Sequence, residues 1–145
     1  MTQAWKAISR TFERWRSPVV LFPIITGTMW LFVVLRFLLP LPWQPGVIFL
    51  LALILFVGAQ HHFLSRYFFG SSFSPDMPRA VGIVANALFG TVLLLATFQT
   101  LLDLLTLAWS LLNGAYFAPP VEARYLIAGS ALFLSAFGVS QAIRV

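Results

Sequence analysis

The side chains able to do chemistry are few, and they are scattered. The 145-residue chain holds four carboxylates (Glu13, Asp76, Asp103 and Glu122), two histidines (His61 and His62) and no cysteine. Acid–base work by paired carboxylates, or bridging of two metals, needs acids that converge. These four fall in different segments. Lack of cysteine excludes disulfides and thiolate metal sites. His61 and His62 are adjacent, and neighbours on a helix point about 100° apart, so they cannot chelate one ion while the helix is intact. They close an apolar run, where polar and cationic side chains favour a helix C-terminus, so interfacial anchoring is expected of them rather than ligation. The chain has no Gly-rich phosphate loop after a strand, no HExxH and no Ser/His/Asp set. No catalytic residue, metal ligand or cofactor-binding residue is expected in this chain.

The elements that must position these residues are apolar and long. Val81 to Leu112 contains one ionisable side chain, Asp103. At helical rise the run covers about 48 Å, against roughly 30 Å for a hydrocarbon core. The whole chain is 60% hydrophobic and 9% charged, with mean hydropathy +0.92. Soluble domains carry about 25% charged residues, so the partner implied is a lipid bilayer. The net charge of +5 lies in short segments between apolar runs, which fits topology determinants and not nucleic-acid binding.

The expected fold class is all-α integral membrane: four transmembrane helices in a compact bundle, spanning about 18–39, 46–64, 81–112 and 123–143. Three prolines in Pro40 to Pro45 make a tight extended turn after the first span. Ser65 to Arg79 reads as a polar, breaker-rich loop. Asn113-Gly114 is a helix C-cap signature, followed by Pro119-Pro120. Residues 18–145 form this transmembrane domain, and residues 1–17 form a short N-terminal amphipathic interfacial segment. There Trp5, Ile8, Phe12 and Trp15 fall in one arc, with Lys6, Arg10, Glu13 and Arg14 on the other side. Trp5, Trp15, Arg10 and Arg14 are its expected interfacial anchors. Lys6, Arg10, Arg14, Arg16, Arg66, Arg79 and Arg144 lie on one side of the membrane, and only Arg36 and Arg124 on the other. Both termini are therefore expected in the cytoplasm. No cleaved signal peptide is expected, because the first run is long, lacks a cleavage site and precedes three more spans.

Asp103 shares a helical face with Ala85, Val92, Ala96, Gln99, Thr106 and Ser110, a small or polar stripe that should face protein. Measured from the cytoplasmic ends, Arg36 lies about 27 Å up its helix and Asp103 about 33 Å up its own. The two are expected to pair as a structural clamp. A proton relay would need further ionisable groups along a path, and the spans supply none deeper. Ala131, Ser135, Gly138 and Ala142 predict a close-packing seam on the fourth helix.

Several segments have a familiar order. They are Leu35-Arg36-Phe37-Leu38-Leu39-Pro40-Leu41-Pro42, Asp103-Leu104-Leu105 after the small positions Gly90 and Ala96, and the closing Phe137-Gly138-Val139-Ser140-Gln141-Ala142-Ile143-Arg144-Val145. Over about residues 29 to 145 the chain resembles the N-terminal membrane region of bacterial calcineurin-like metallophosphoesterases. The resemblance implies a C-terminal hydrolase domain at the inner (cytoplasmic) membrane, whose two-metal centre would lie outside this chain. The family's metal motifs, Asp-x-His, Gly-Asp, Asn-His-Glu or Asn-His-Asp, and Gly-His-x-His, are missing here, so no ligand role transfers. The expected function is a membrane-anchoring and orienting module. The alternatives are a small oligomeric transporter or channel subunit, or an accessory subunit of a membrane complex. Four-helix multidrug exporters rely on a carboxylate in the first span, where this chain has Arg36 and no acid.

Overall fold

The computed structural model describes residues 18–69 and 78–144, and these are helical with short connections and no strand. Helix α1 spans Pro18–Val33 and runs on into a π-helical turn, Val34–Leu38. Helix α2 is Pro45–Phe69, α3 is Arg79–Asn113, and α4 is Val121–Arg144. All four are long and apolar enough to cross a membrane. The N-terminal segment with Trp5, Arg10, Arg14 and Trp15 lies outside the described residues.

Local chemistry sets the helix ends. Leu39 N–H donates to the Val34 carbonyl at 3.0 Å, closing the wide π turn, and Leu41 N–H donates to Leu38 O at 3.1 Å. The prolines that follow cannot extend this ladder. Pro45 then opens α2, where its missing N–H costs nothing. Gly114, at φ 64°, occupies the left-handed region just after α3, the usual glycine stop. Two expected boundaries move. Helix α2 continues through Ser65-Arg66-Tyr67-Phe68-Phe69 instead of ending near Leu64, because that stretch contains no Gly or Pro and the first breaker is Gly70. Helix α4 starts at Val121, directly after Pro119-Pro120, and Ala123 N–H bonds Pro120 O at 3.2 Å.

Helix α3 is the hub. Helices α1, α2 and α4 all pack on it, α1 also packs on α2, and α4 rests chiefly against α3. The core joins Val33, Phe37 and Leu38 of the first segment to Ala52, Leu55 and Ala59 of α2, Val92, Leu95 and Ala96 of α3, and Ala131 of α4. Small residues allow the close approaches. A Cβ on Gly58 would lie 2.5 Å from Leu88 Cβ, and one on Gly90 would lie 3.0 Å from Ser135 Oγ. On α4 the expected seam holds at Ala131 and Ser135, both buried, but Gly138 and Ala142 are exposed. Among the described residues nothing lies within 4 Å of a Cβ on Gly138, so the described seam stops short of it.

Away from these contacts the surface is apolar. Phe49 is 71% exposed, Leu126 72% and Phe133 69%. Such faces exceed what soluble monomers leave in water.

Candidate functional site

The polar residues of the helices gather at two levels. The first is built around Asp103, on the last third of α3. Arg36 reaches it from the π turn of the first segment: Nε donates to Oδ2 at 3.0 Å, and Nη2 lies 3.0 Å from Oδ1. The contact is bidentate, the geometry a planar guanidinium fork prefers. One turn earlier on the same helix, Gln99 Nε2 donates to Asp103 Oδ1 at 2.8 Å. Gln99 is fully buried, whereas the Asp103 side chain is 22% exposed and Arg36 59% exposed. The Gln99 Oε1 atom is buried and has no hydrogen-bond partner among the described residues.

Arg124, in the first turn of α4, completes the group by donating from Nη1 to the backbone carbonyl of Arg36. Carbonyls at a helix C-terminus have no intrahelical partner, and a cation there satisfies both hydrogen bonding and the helix dipole. Residue 36 therefore ties three helices, through its side chain to α3 and through its carbonyl to α4. Trp43 and Tyr125 stack with centroids 6.1 Å apart, joining the turn after the first segment to the same end of α4.

The stripe around Asp103 faces protein along its length. Val92, Ala96 and Gln99 are buried, and Ala85, Asp103, Thr106 and Ser110 are partly buried, while Leu101, Leu104 and Leu105 are exposed.

The second level lies toward the other end of the bundle. Gln60 Nε2 donates to the carbonyl of Pro23 at 3.1 Å, passing Gly27, where a Cβ would stand 3.1 Å from that nitrogen. Thr26 Oγ1 also lies near this carbonyl, and donates to Phe22 O at 3.1 Å. Between the two levels, Trp30 Nε1 donates to Ala52 O at 2.8 Å, joining α1 to α2. The histidines pack against neighbouring helices. His61 Nδ1 lies 2.8 Å from Gly58 O, and its Nε2 faces the Asn86 amide oxygen at 3.1 Å. The His61 and His62 rings stand 3.8 Å apart, and Phe89 packs edge-on against both. The close approach of α2 and α3 at Gly58 carries both rings into the helix contact, so they knit helices.

Chemically these arrangements bind and position. Among the described residues no group of three His, Asp or Glu is placed to hold a metal ion. Three contributors escaped sequence reasoning. Arg124 counted only as a charge on the minority side, because its acceptor is a backbone carbonyl that no side-chain pattern reveals. Gln99 was one member of a stripe, and only structure makes it the buried support of Asp103. Gln60 acts on a proline carbonyl, and the proline inside the first span was the signal available for it. An open groove of about 620 Å³ also runs between α1 and α3, lined by Ile24, Ile25, Thr28, Met29, Phe32, Ala96, Thr97, Thr100 and Leu101. Compared with known proteins, the chain matches no family model, no curated protein and no solved structure.

Proposed function

We propose that this chain is a four-span membrane scaffold that anchors and orients an attached domain or partner at the cytoplasmic face of a bacterial inner membrane. Four apolar helices with exposed leucine and phenylalanine faces support the membrane reading, and the bias of the cations supports cytoplasmic termini. The resemblance to membrane-anchored metallophosphoesterases supplies one candidate for the attached domain, a two-metal hydrolase, with no catalytic part assigned to the residues of this chain.

One observation carries the scaffold reading: both oxygens of Asp103 are engaged, by Arg36 and Gln99. A carboxylate that carries protons or ions must release its partners in each cycle. Here it is forked to one helix and supported by a buried amide on its own, an arrangement that fixes α1 against α3. Helices α2 and α4 also have a length that suits a bilayer. From the Arg36–Arg124–Trp43 layer to Arg66 on α2 and Arg144 on α4 is about 30–35 Å at helical rise, matching a hydrocarbon core.

A fluorescent protein fused after Val145 tests this. The fusion should fluoresce and should stay with the membrane pellet through alkaline extraction. Release by alkali would overturn the membrane reading. Ion or drug flux in reconstituted vesicles that vanishes in Asp103→Asn would overturn the scaffold reading in favour of transport.

A further inference from the structure

Helix α3 does not share the common length. Arg79 to Asp103 already covers about 36 Å, and Leu104 to Asn113 adds about 15 Å beyond the Arg36–Asp103 contact. The first segment ends at Leu38, two residues past Arg36, and α4 begins at Val121, just before Arg124. The tip of α3 therefore projects past its neighbours. It is not polar: Leu104 is 56% exposed, Leu107 56%, Leu111 75% and Leu112 84%. Tilt cannot hide the whole helix in hydrocarbon, since fitting its 35 residues into roughly 30 Å would need about 55°, beyond the 0–40° observed for spanning helices.

From Leu104 to Asn113 every residue but Thr106 and Ser110 is exposed, and one face of this tip continues a seam down the helix. Leu93, Thr97, Thr100, Leu104, Leu107 and Leu111 are all exposed and follow one another at intervals of 4, 3, 4, 3 and 4 residues. That is the a/d spacing of a left-handed helix pair. The seam lies beside the Asp103 stripe, not on it, so the clamp leaves it open. Its inner half borders the groove between α1 and α3, where the Thr97 and Thr100 hydroxyls are taken up by the Leu93 and Ala96 carbonyls.

We propose that this seam is the interface with a second copy of the chain, giving a parallel homodimer through α3. The proposal rests on the membrane reading above. Copies inserted with the same topology can be related by a two-fold axis only along the membrane normal, so two α3 helices meet parallel and in register. In that arrangement every a/d position faces its own counterpart, and a heptad seam is self-complementary. The area fits. At roughly 100 Å² of exposed surface per leucine, the seam leucines Leu93, Leu104, Leu107 and Leu111 with the two threonines, and Leu101 and Ala108 flanking them, offer at most about 600 Å² per copy. The total of about 1,200 Å² reaches the lower bound of stable interfaces. The inner half packs by van der Waals contact within lipid, and the outer half removes leucines from water and headgroups.

The chain has no cysteine, so single-cysteine variants report directly. Thr97→Cys, Leu104→Cys, Leu107→Cys and Leu111→Cys in isolated membranes, treated with a mild oxidant, should give several-fold more disulfide-linked dimer than Leu105→Cys and Trp109→Cys, which face away. A disulfide requires Cα atoms about 4.4–6.8 Å apart, so proximity alone is insufficient. Cross-linking without this periodicity, or none, in protein that resists alkaline extraction overturns the dimer alone. A cross-link to a different polypeptide overturns it in favour of a foreign partner. Protein released by alkali overturns both the dimer and the membrane reading.

Discussion

Truncating Asp103 should cost more than truncating Arg36, although the two form one ion pair. Asp103→Ala removes the acceptor for two Arg36 contacts and for Gln99 Nε2. Gln99 is fully buried and its Oε1 already lacks a partner among the described residues, so its amide would be left wholly unsatisfied. An orphaned buried donor costs about 1–3 kcal/mol, and interhelical polar contacts in membranes contribute about 0.6 kcal/mol on average and up to about 1.7. The sum is about 2–5 kcal/mol. Arg36→Ala loses only the fork, whose guanidinium is 59% exposed, while Gln99 keeps its bond and the residue-36 carbonyl keeps Arg124. That loss is about 1 kcal/mol. Reversible unfolding of the purified protein in mixed micelles, followed by tryptophan fluorescence, measures both variants against the parent. Equal losses, or a larger one for Arg36→Ala, would refute the role given to Gln99 and reduce the site to a simple ion pair.

The charge swap Arg36→Asp with Asp103→Arg should recover much of the stability lost in either single change in the same assay. Gln99 can turn its free Oε1 to the new guanidinium, and Arg124 gains a nearby carboxylate. No recovery would mean the pair is not what joins the two helices. Gly58→Ala should lower the unfolding midpoint, by about 1–3 kcal/mol of overpacking, because its Cβ would meet Leu88 Cβ at 2.5 Å. Gly138→Ala, in open space, should be neutral or stabilise by up to about 1 kcal/mol. Trp30→Phe keeps an aromatic ring against Phe56 and loses the indole bond to Ala52 O, so a cost of about 0.5–1.5 kcal/mol is expected by chemical denaturation.

Much of the helix plan was legible in the chain because apolar runs and breakers act locally. Prolines at 40, 42 and 45 and glycine at 114 mark ends by their own backbone chemistry, whatever surrounds them. The end of α2 was misjudged for the same reason in reverse: Ser65 and Arg66 are polar, yet neither stops a helix, and Ser65 is buried against its neighbours. Setting Arg36 against Asp103 needed only the rise per residue and the span ends. The π turn that delivers Arg36 left no such mark, since Val34–Leu38 has the composition of any apolar helix. Contacts to backbone carbonyls were equally hidden. Arg124 on Arg36 O, Gln60 on Pro23 O and Ser135 on Ala87 O depend on which helices meet, and composition does not encode that. The excess length of α3 was visible from the start, but its meaning depended on seeing where α1 and α4 stop.

A four-span scaffold would hold the Arg36–Asp103–Arg124 layer at the outer boundary of the bilayer, and cysteine accessibility in intact cells reads that placement. A membrane-impermeant maleimide should label Gln44→Cys and Tyr116→Cys, which flank that layer, and should reach the exposed Arg79→Cys only after the membrane is permeabilised. Labelling of Arg79→Cys from outside, or protection of Gln44→Cys and Tyr116→Cys, would contradict it.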